Sequence, residues 1–265
     1  MRLSSPSTAA APPPLLSFSN VGKRHRDGGR ETVVLDGVSF ELRAGSGLGV
    51  YGERRSGKST LLRLAAGIDS PDGGSIRFEG RELTGISSGG RARLLRGPIA
   101  LLTPAGWLPS PGETVMDHVA MSAGSAGLSL REARRRALGA LDRAGVAGVC
   151  AEEMTMSLSS AERARVMLAR ALVHEPRLLV VDEPAAMSSL LERDRFCALL
   201  RAVARERGIA LLIASEDISA LQGVAVLASL SGGELCSTEE PPYPAEESGT
   251  VVELPRRRAA ALKRL

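Results

Sequence analysis

The stretch Gly52-Glu53-Arg54-Arg55-Ser56-Gly57-Lys58-Ser59-Thr60 decides how this 265-residue chain is read. It fits the pattern G-x-x-x-x-G-K-[S/T], and its surroundings are those the pattern requires. GLGVY, residues 47–51, precedes it as a short strand, and LLRLAAG follows as a helix that Gly67 stops. In such a turn Gly52 and Gly57 let the backbone wrap a phosphate, with N–H groups and a helix N-terminus pointing at it. Arg55, Ser56, Gly57 and Thr60 are therefore binding candidates with Gly52. Lys58 is expected to reach the β- and γ-phosphates of a nucleotide, and Ser59 to ligate Mg²⁺.

The competing reading is a glycine-rich turn with a solvated lysine, and the flanking strand and helix weigh against it. So does composition. Of 34 basic side chains three are lysines, Lys23, Lys58 and Lys263, and a lysine here fits a site that needs a compact point charge.

A second half of a nucleotide site stands further along, where LLVV delivers Asp182 and Glu183 at the end of an apolar strand. Taken alone, Asp-Glu-Pro reads as a helix start with capping acids. Beside a phosphate loop it reads otherwise: Asp182 holds the metal through its water shell, and Glu183 orients or deprotonates an attacking water.

Outward from these motifs the chain alternates strands and helices. LLSFSNV and TVVLDGVSFEL are strand-like runs feeding the loop, PDGGSIRFEG is a turn and strand, and IALL resumes the core sheet. From Glu113 to Met156 the pattern turns helical, with an Arg-rich outer face on SLREARRRALGALDRAGV. A helix from Ser159 is stopped by Pro176, another spans about residues 190 to 208, and ALLIAS and VAVLASL close the core before the hairpin-like SGGEL. The expected organisation is a disordered leader over 1–14, an α/β nucleotide-binding domain over 15–235 with a helical insertion at about 112–157, and a polar, basic tail over 236–265.

Composition narrows the function. Hydrophobic residues at 43% and charged residues at 24% suit a globular core, and aromatics at 3% make it an aliphatic one. The net charge of +4 comes from charges spread along the chain, which argues against nucleic acid as the partner. Cys150, Cys197 and Cys236 are far apart, so neither a disulfide framework nor a zinc site is indicated, and a reducing cytoplasm fits. The sequence has no apolar run of the roughly 18 residues that cross a bilayer.

The segment LSSAERARVMLARALVHEPRLLVVDEP, residues 158–184, resembles without gaps the LSGGQRQRV…ARAL…LLLLDEP stretch of ATP-binding cassette (ABC) proteins. The resemblance spans about residues 15–235 and is nearest to lipoprotein-release and macrolide-export ATPases. It implies an α/β fold, a P-loop NTPase core of ABC type with an antiparallel β subdomain and an inserted helical subdomain. It also implies ATP and Mg²⁺ as cofactors, an integral-membrane permease as partner, and a homodimer or a heterodimer with another cassette. The subunit would then sit peripherally on the inner face of the cell membrane. Two cassettes of this family sandwich two ATP molecules, so Ser159 would meet the partner's nucleotide, and His25 falls where an aromatic stacks on adenine.

Several positions depart from the family's pattern. Both glycines and the glutamine of the signature become Ser160, Ala161 and Glu162. The single glutamine is Gln222, so none stands near Thr103 and Pro104, where a cassette senses metal and permease. The D-loop reads Ala186, Met187, Ser188, Ser189, and the switch histidine aligns with Glu216. A carboxylate facing the γ-phosphate at about 4 Å repels it by roughly 1 to 4 kcal/mol. Slow hydrolysis is expected. Trp107, in TPAGWLP, is read as core or as a permease contact. A non-transport regulatory or nucleic-acid-associated cassette is the alternative, and the lack of CxxC modules and of a tandem second cassette weighs against it.

Overall fold

The computed structural model describes residues 13–27, 29–124, 127–184 and 190–237. Most of the expected leader and tail, and the D-loop tetrad 186–189, lie outside these. Two sheets organise the chain. The first strands, β1 (Leu16–Asp27) and β2 (Arg30–Leu42), pair antiparallel, and β4 (Gly73–Phe78) and the short β5 (Arg81–Glu82) extend them in the order β2-β1-β4-β5. Alternation decides which side is buried: Leu16, Phe18, Val38, Phe40 and Leu42 point inward, and Phe18 stacks on Phe40 at 4.5 Å.

The second sheet contains β3 (Gly47–Tyr51), β6 (Ile99–Leu102), β7 (Leu178–Asp182), β8 (Ala210–Ser215), β9 (Val226–Ser231) and β10 (Glu234–Ser237). Its order is β10-β9-β3-β8-β7-β6, parallel except for the β9–β10 hairpin at one edge. Residues 178–181 and 210–214 are buried on both faces, which is why they read as unbroken apolar runs. Leu178, Val180 and Leu212 pack with α1 (Lys58–Ala65) and the antiparallel sheet. Leu179, Val181 and Ile213 face the other core, with the helical part of the chain.

That helical part holds α3 (Val115–Gly124) and α4 (Leu130–Arg143) and leads into α5 (Ser160–Leu172). The Thr114–Met154 bridge ties its start to its end. On α4 the small residues Ala133, Ala137 and Ala140 are buried, while Arg134, Arg135 and Arg136 pair with acids on the outer face. The α6 helix (Leu190–Arg207) covers the sheet beside α5. The expected α/β architecture, with an antiparallel β part and a helical insertion, is the one found. One helix was not anticipated: α2 (Ser88–Leu95), which buries no side chain and carries two glycines in its first turn. Among the described residues no helix is long and apolar enough to cross a membrane.

Candidate nucleotide site

The loop 52–57 leaves the C-terminal end of β3 and runs into α1. In the parallel sheet β3 lies between β9 and β8, and β7 follows β8. Loops at the carboxyl ends of these strands therefore converge, which is where open α/β sheets place ligands. Two glycines make the turn possible. A Cβ on Gly52 would come within 2.5 Å of Ser56 Oγ and 2.7 Å of the Leu230 carbonyl. Gly57 has φ +106°, and its Cβ would lie 2.8 Å from the Val34 carbonyl. Arg55 also takes a left-handed conformation, φ 66°.

Lys58, the first residue of α1, is 5% exposed. Its ammonium donates to the carbonyls of Gly52 (2.8 Å) and Glu53 (2.9 Å) and lies 3.4 Å from Glu183 Oε1 and 3.9 Å from Glu216 Oε1. The lysine thus sits inside the loop at the mouth of the sheet, with two carboxylates against it.

Asp182 ends β7. Burial pushes its carboxyl above the usual aspartate range, opposed by a hydrogen bond from Ser59 and by the Lys58 charge. Its Oδ1 is buried with no hydrogen-bond partner. A buried, unpaired carboxylate oxygen beside a serine hydroxyl is a hard-oxygen donor set that suits Mg²⁺. Glu183, at φ 47°, is aimed by three contacts. Its N–H donates to the Ala214 carbonyl at 2.9 Å. Its Oε2 accepts from Ser215 Oγ at 3.2 Å and from the Glu216 N–H at 3.1 Å. Oε1 is buried and makes no hydrogen bond. One carboxylate oxygen of Glu183 is therefore held by hydrogen bonds, and the other faces the Lys58 ammonium at 3.4 Å without accepting a hydrogen bond.

The sequence candidates fall into two groups. Gly52, Arg55, Ser56, Gly57, Lys58, Ser59, Thr60, Asp182 and Glu183 belong to one cluster, and His25 joins its edge, exposed, with Nε2 3.5 Å from Thr60 Oγ1. Ser159 stands apart. It caps α5, accepting from the Glu162 N–H (3.3 Å) while Ser159 N and Oγ both donate to Glu162 Oε2 (2.8 and 2.7 Å). Those bonds hold the Glu162 carboxyl below its ordinary range.

Other supports have no periodic signal in the sequence. Arg193 of α6, nearly buried, pairs with Asp217 and Asp194 (2.8 Å to the latter), and Asp217 in turn caps the short turn Ile218–Leu221 through Ser219. This fixes the chain that carries Glu216. The Asp-x-Ser spacing after β8 was the one readable hint. Trp107 is half-buried against the helical core, 5.1 Å from the His118 ring, with Arg163 6.0 Å over its face. His118 is buried on Glu113, 3.0 Å away. The exposed apolar residue of that loop is instead Leu108, at 78%.

Comparison with known proteins gives this geometry its relatives. The ABC transporter family model matches residues 35–186. The lipoprotein-releasing system ATP-binding protein LolD of Pseudomonas syringae pv. tomato is 33% identical over 83% of this chain and 96% of its own length. The LolD of Shewanella frigidimarina is 32% identical over 77% of this chain and 84% of its own length. Among solved structures, the cassette MJ0796 in a dimeric post-hydrolysis state with ADP and Pi shares the fold at TM-score 0.76 and 23% identity, covering 83% of this chain and 96% of that one. The cbiO1 protein of Clostridium perfringens, part of the ABC transporter complex cbiONQ, aligns at TM-score 0.72 and 26% identity over 84% and 87%. The chain belongs to the ABC transporter family, among the ATP-binding subunits of lipoprotein-release type.

Proposed function

We propose that the chain binds Mg-ATP in the loop 52–60, hydrolyses it slowly, and couples that cycle to an integral-membrane permease. The observation that carries this reading is the convergence at the carboxyl end of the sheet of the Lys58 ammonium, the buried Asp182 Oδ1 that accepts no hydrogen bond, and Glu183 Oε1, which lies against that ammonium and accepts no hydrogen bond. Lys58 and the loop amides hold phosphate oxygens. Asp182 and Ser59 would hold Mg²⁺, which when bound there neutralises charge on the phosphate oxygens. Glu183 positions and deprotonates water with Oε1, the oxygen that accepts no hydrogen bond, once phosphate takes the Lys58 ammonium from it.

Slow turnover follows from what surrounds this core. A donor aimed at developing charge is worth on the order of a hundred- to a thousandfold in rate, and Glu216 supplies a carboxylate at that place instead. At the start of α5 the Glu162 side chain already occupies the helix N-terminus that a second subunit's nucleotide would approach. Pairing with an intact cassette would complete such a site, as a heterodimer. The dimeric state of MJ0796 and the complex of cbiO1 lend support to dimerisation and to a membrane partner.

A groove of about 590 Å³ runs between β6 and the helical insertion, with Leu108 and Met121 exposed at 78% and 65% along it. Exposed apolar side chains lining a groove suit a helix from a permease. A multi-span membrane protein should co-purify with the wild-type chain and be lost from Leu108→Asp, while ATP binding is retained. Co-purification unaffected by this change, or capture of nucleic acid instead, would contradict the assignment.

A further inference from the structure

The position of Glu216 bears on which nucleotide the site prefers. Its carboxylate lies 3.9 Å from Lys58 Nζ, beside Glu183 at 3.4 Å, so two carboxylates share the one ammonium that a γ-phosphate would need. Glu183 has a hydrolytic role that accounts for its place. Glu216 has none, and its side chain is 47% exposed, so burial does not force it there.

Its backbone is held firmly. The Glu216 N–H donates to Glu183 Oε2, and the next residue, Asp217, is fixed by Arg193, by Ser219 and through its N–H to Ser215 Oγ (3.1 Å). The side chain can turn only about its own bonds, and among the described residues the cation paired with its carboxylate is Lys58.

We propose that Glu216 sets nucleotide preference, opposing the γ-phosphate so that this chain holds a nucleoside diphosphate more tightly than the triphosphate. The inference rests on the loop 52–60 being the nucleotide site. A β-phosphate would be held by the loop amides as well as by Lys58, whereas a γ-phosphate, farther from those amides, would depend on the ammonium that Glu216 already faces and lie nearer its negative charge. Water reaches the carboxylate, so the repulsion takes the weak end of the Coulomb range, about fivefold in affinity.

The test is equilibrium binding of ADP and of a non-hydrolysable ATP analogue, each with Mg²⁺, to the full chain and to Glu216→Gln. The isosteric amide keeps the size and the half-exposed setting, so folding is preserved. Wild type should bind ADP about fivefold more tightly, and Glu216→Gln should gain about fivefold for the triphosphate analogue while ADP affinity stays as it was. A wild type that prefers the triphosphate, an equal change for both nucleotides, or weaker triphosphate binding in Glu216→Gln would each overturn the proposal. Lys58→Ala separates it from the underlying reading. If that variant binds both nucleotides like wild type, the site assignment itself fails.

Discussion

Two helix N-termini in this molecule treat an incoming anion in opposite ways. α1 begins after Gly57, which has no side chain to cap it, and its first turn holds no acid. Its free N–H groups and positive dipole end are open to a phosphate from outside. α5 begins after Ser159 and closes itself: serine and Glu162 satisfy each other's backbone donors, and the carboxylate lies on the positive end of the helix. One terminus is a receptor for charge and the other already has its charge. The difference teaches that, on the function proposed here, α1 and β7 supply the phosphate and metal half of the nucleotide site, while carboxylates stand at Glu162 and Glu216 where that reading puts the groups that answer a γ-phosphate.

The comparison can be broken most strongly at the chemistry. Glu183→Gln should lower ATP turnover by about a hundred- to ten-thousandfold and leave ATP binding intact, measured by phosphate release beside equilibrium titration. If turnover persists, the water is activated elsewhere. At the closed terminus the effect is smaller and of another kind. Ser159→Ala should cost about 1 kcal/mol of stability in thermal or urea unfolding and leave ATP binding by the isolated chain unchanged. A loss of binding there would show that α5 serves the same nucleotide as α1.

The smallest expected effect concerns Asp182, whose carboxyl is raised by burial. A carboxyl raised above its unfolded value is costly to ionise in the native state. That cost is present at neutral pH and disappears as pH falls through the folded value. Asp182→Asn removes it, so Tm should rise by about 1 to 3 °C while metal-dependent turnover is lost. A lower Tm would mean that the ionised carboxylate stabilises the loop.

Much of this was legible in the sequence because it is local. Residues 47–67 announce strand, glycine turn and helix in order, and the runs 178–181 and 210–214 are apolar throughout because both of their faces are buried. The residues that aim Glu183 were harder to see. Ser215 and the Glu216 N–H reach it across 32 and 33 positions of chain, and Arg193 reaches Asp217 across 24. Contacts of that separation leave no periodic trace. α2 was missed for a different reason: Gly89 and Gly90 weaken the helical signal, and no buried stripe replaces it. Trp107 was read as core or as a permease contact from its place in the family resemblance and from the usual surroundings of tryptophan. Its packing on His118 and Arg163 makes it support for the loop, while Leu108 beside it stands exposed.

The most direct test of the account is a titration of Lys58→Ala with Mg-ATP against wild type. Removing the buried ammonium, which alone among the described loop's side chains faces Glu183 and Glu216, should weaken ATP binding by about a hundredfold. An affinity equal to that of wild type would contradict the claim that residues 52–60 hold the phosphates of a nucleotide.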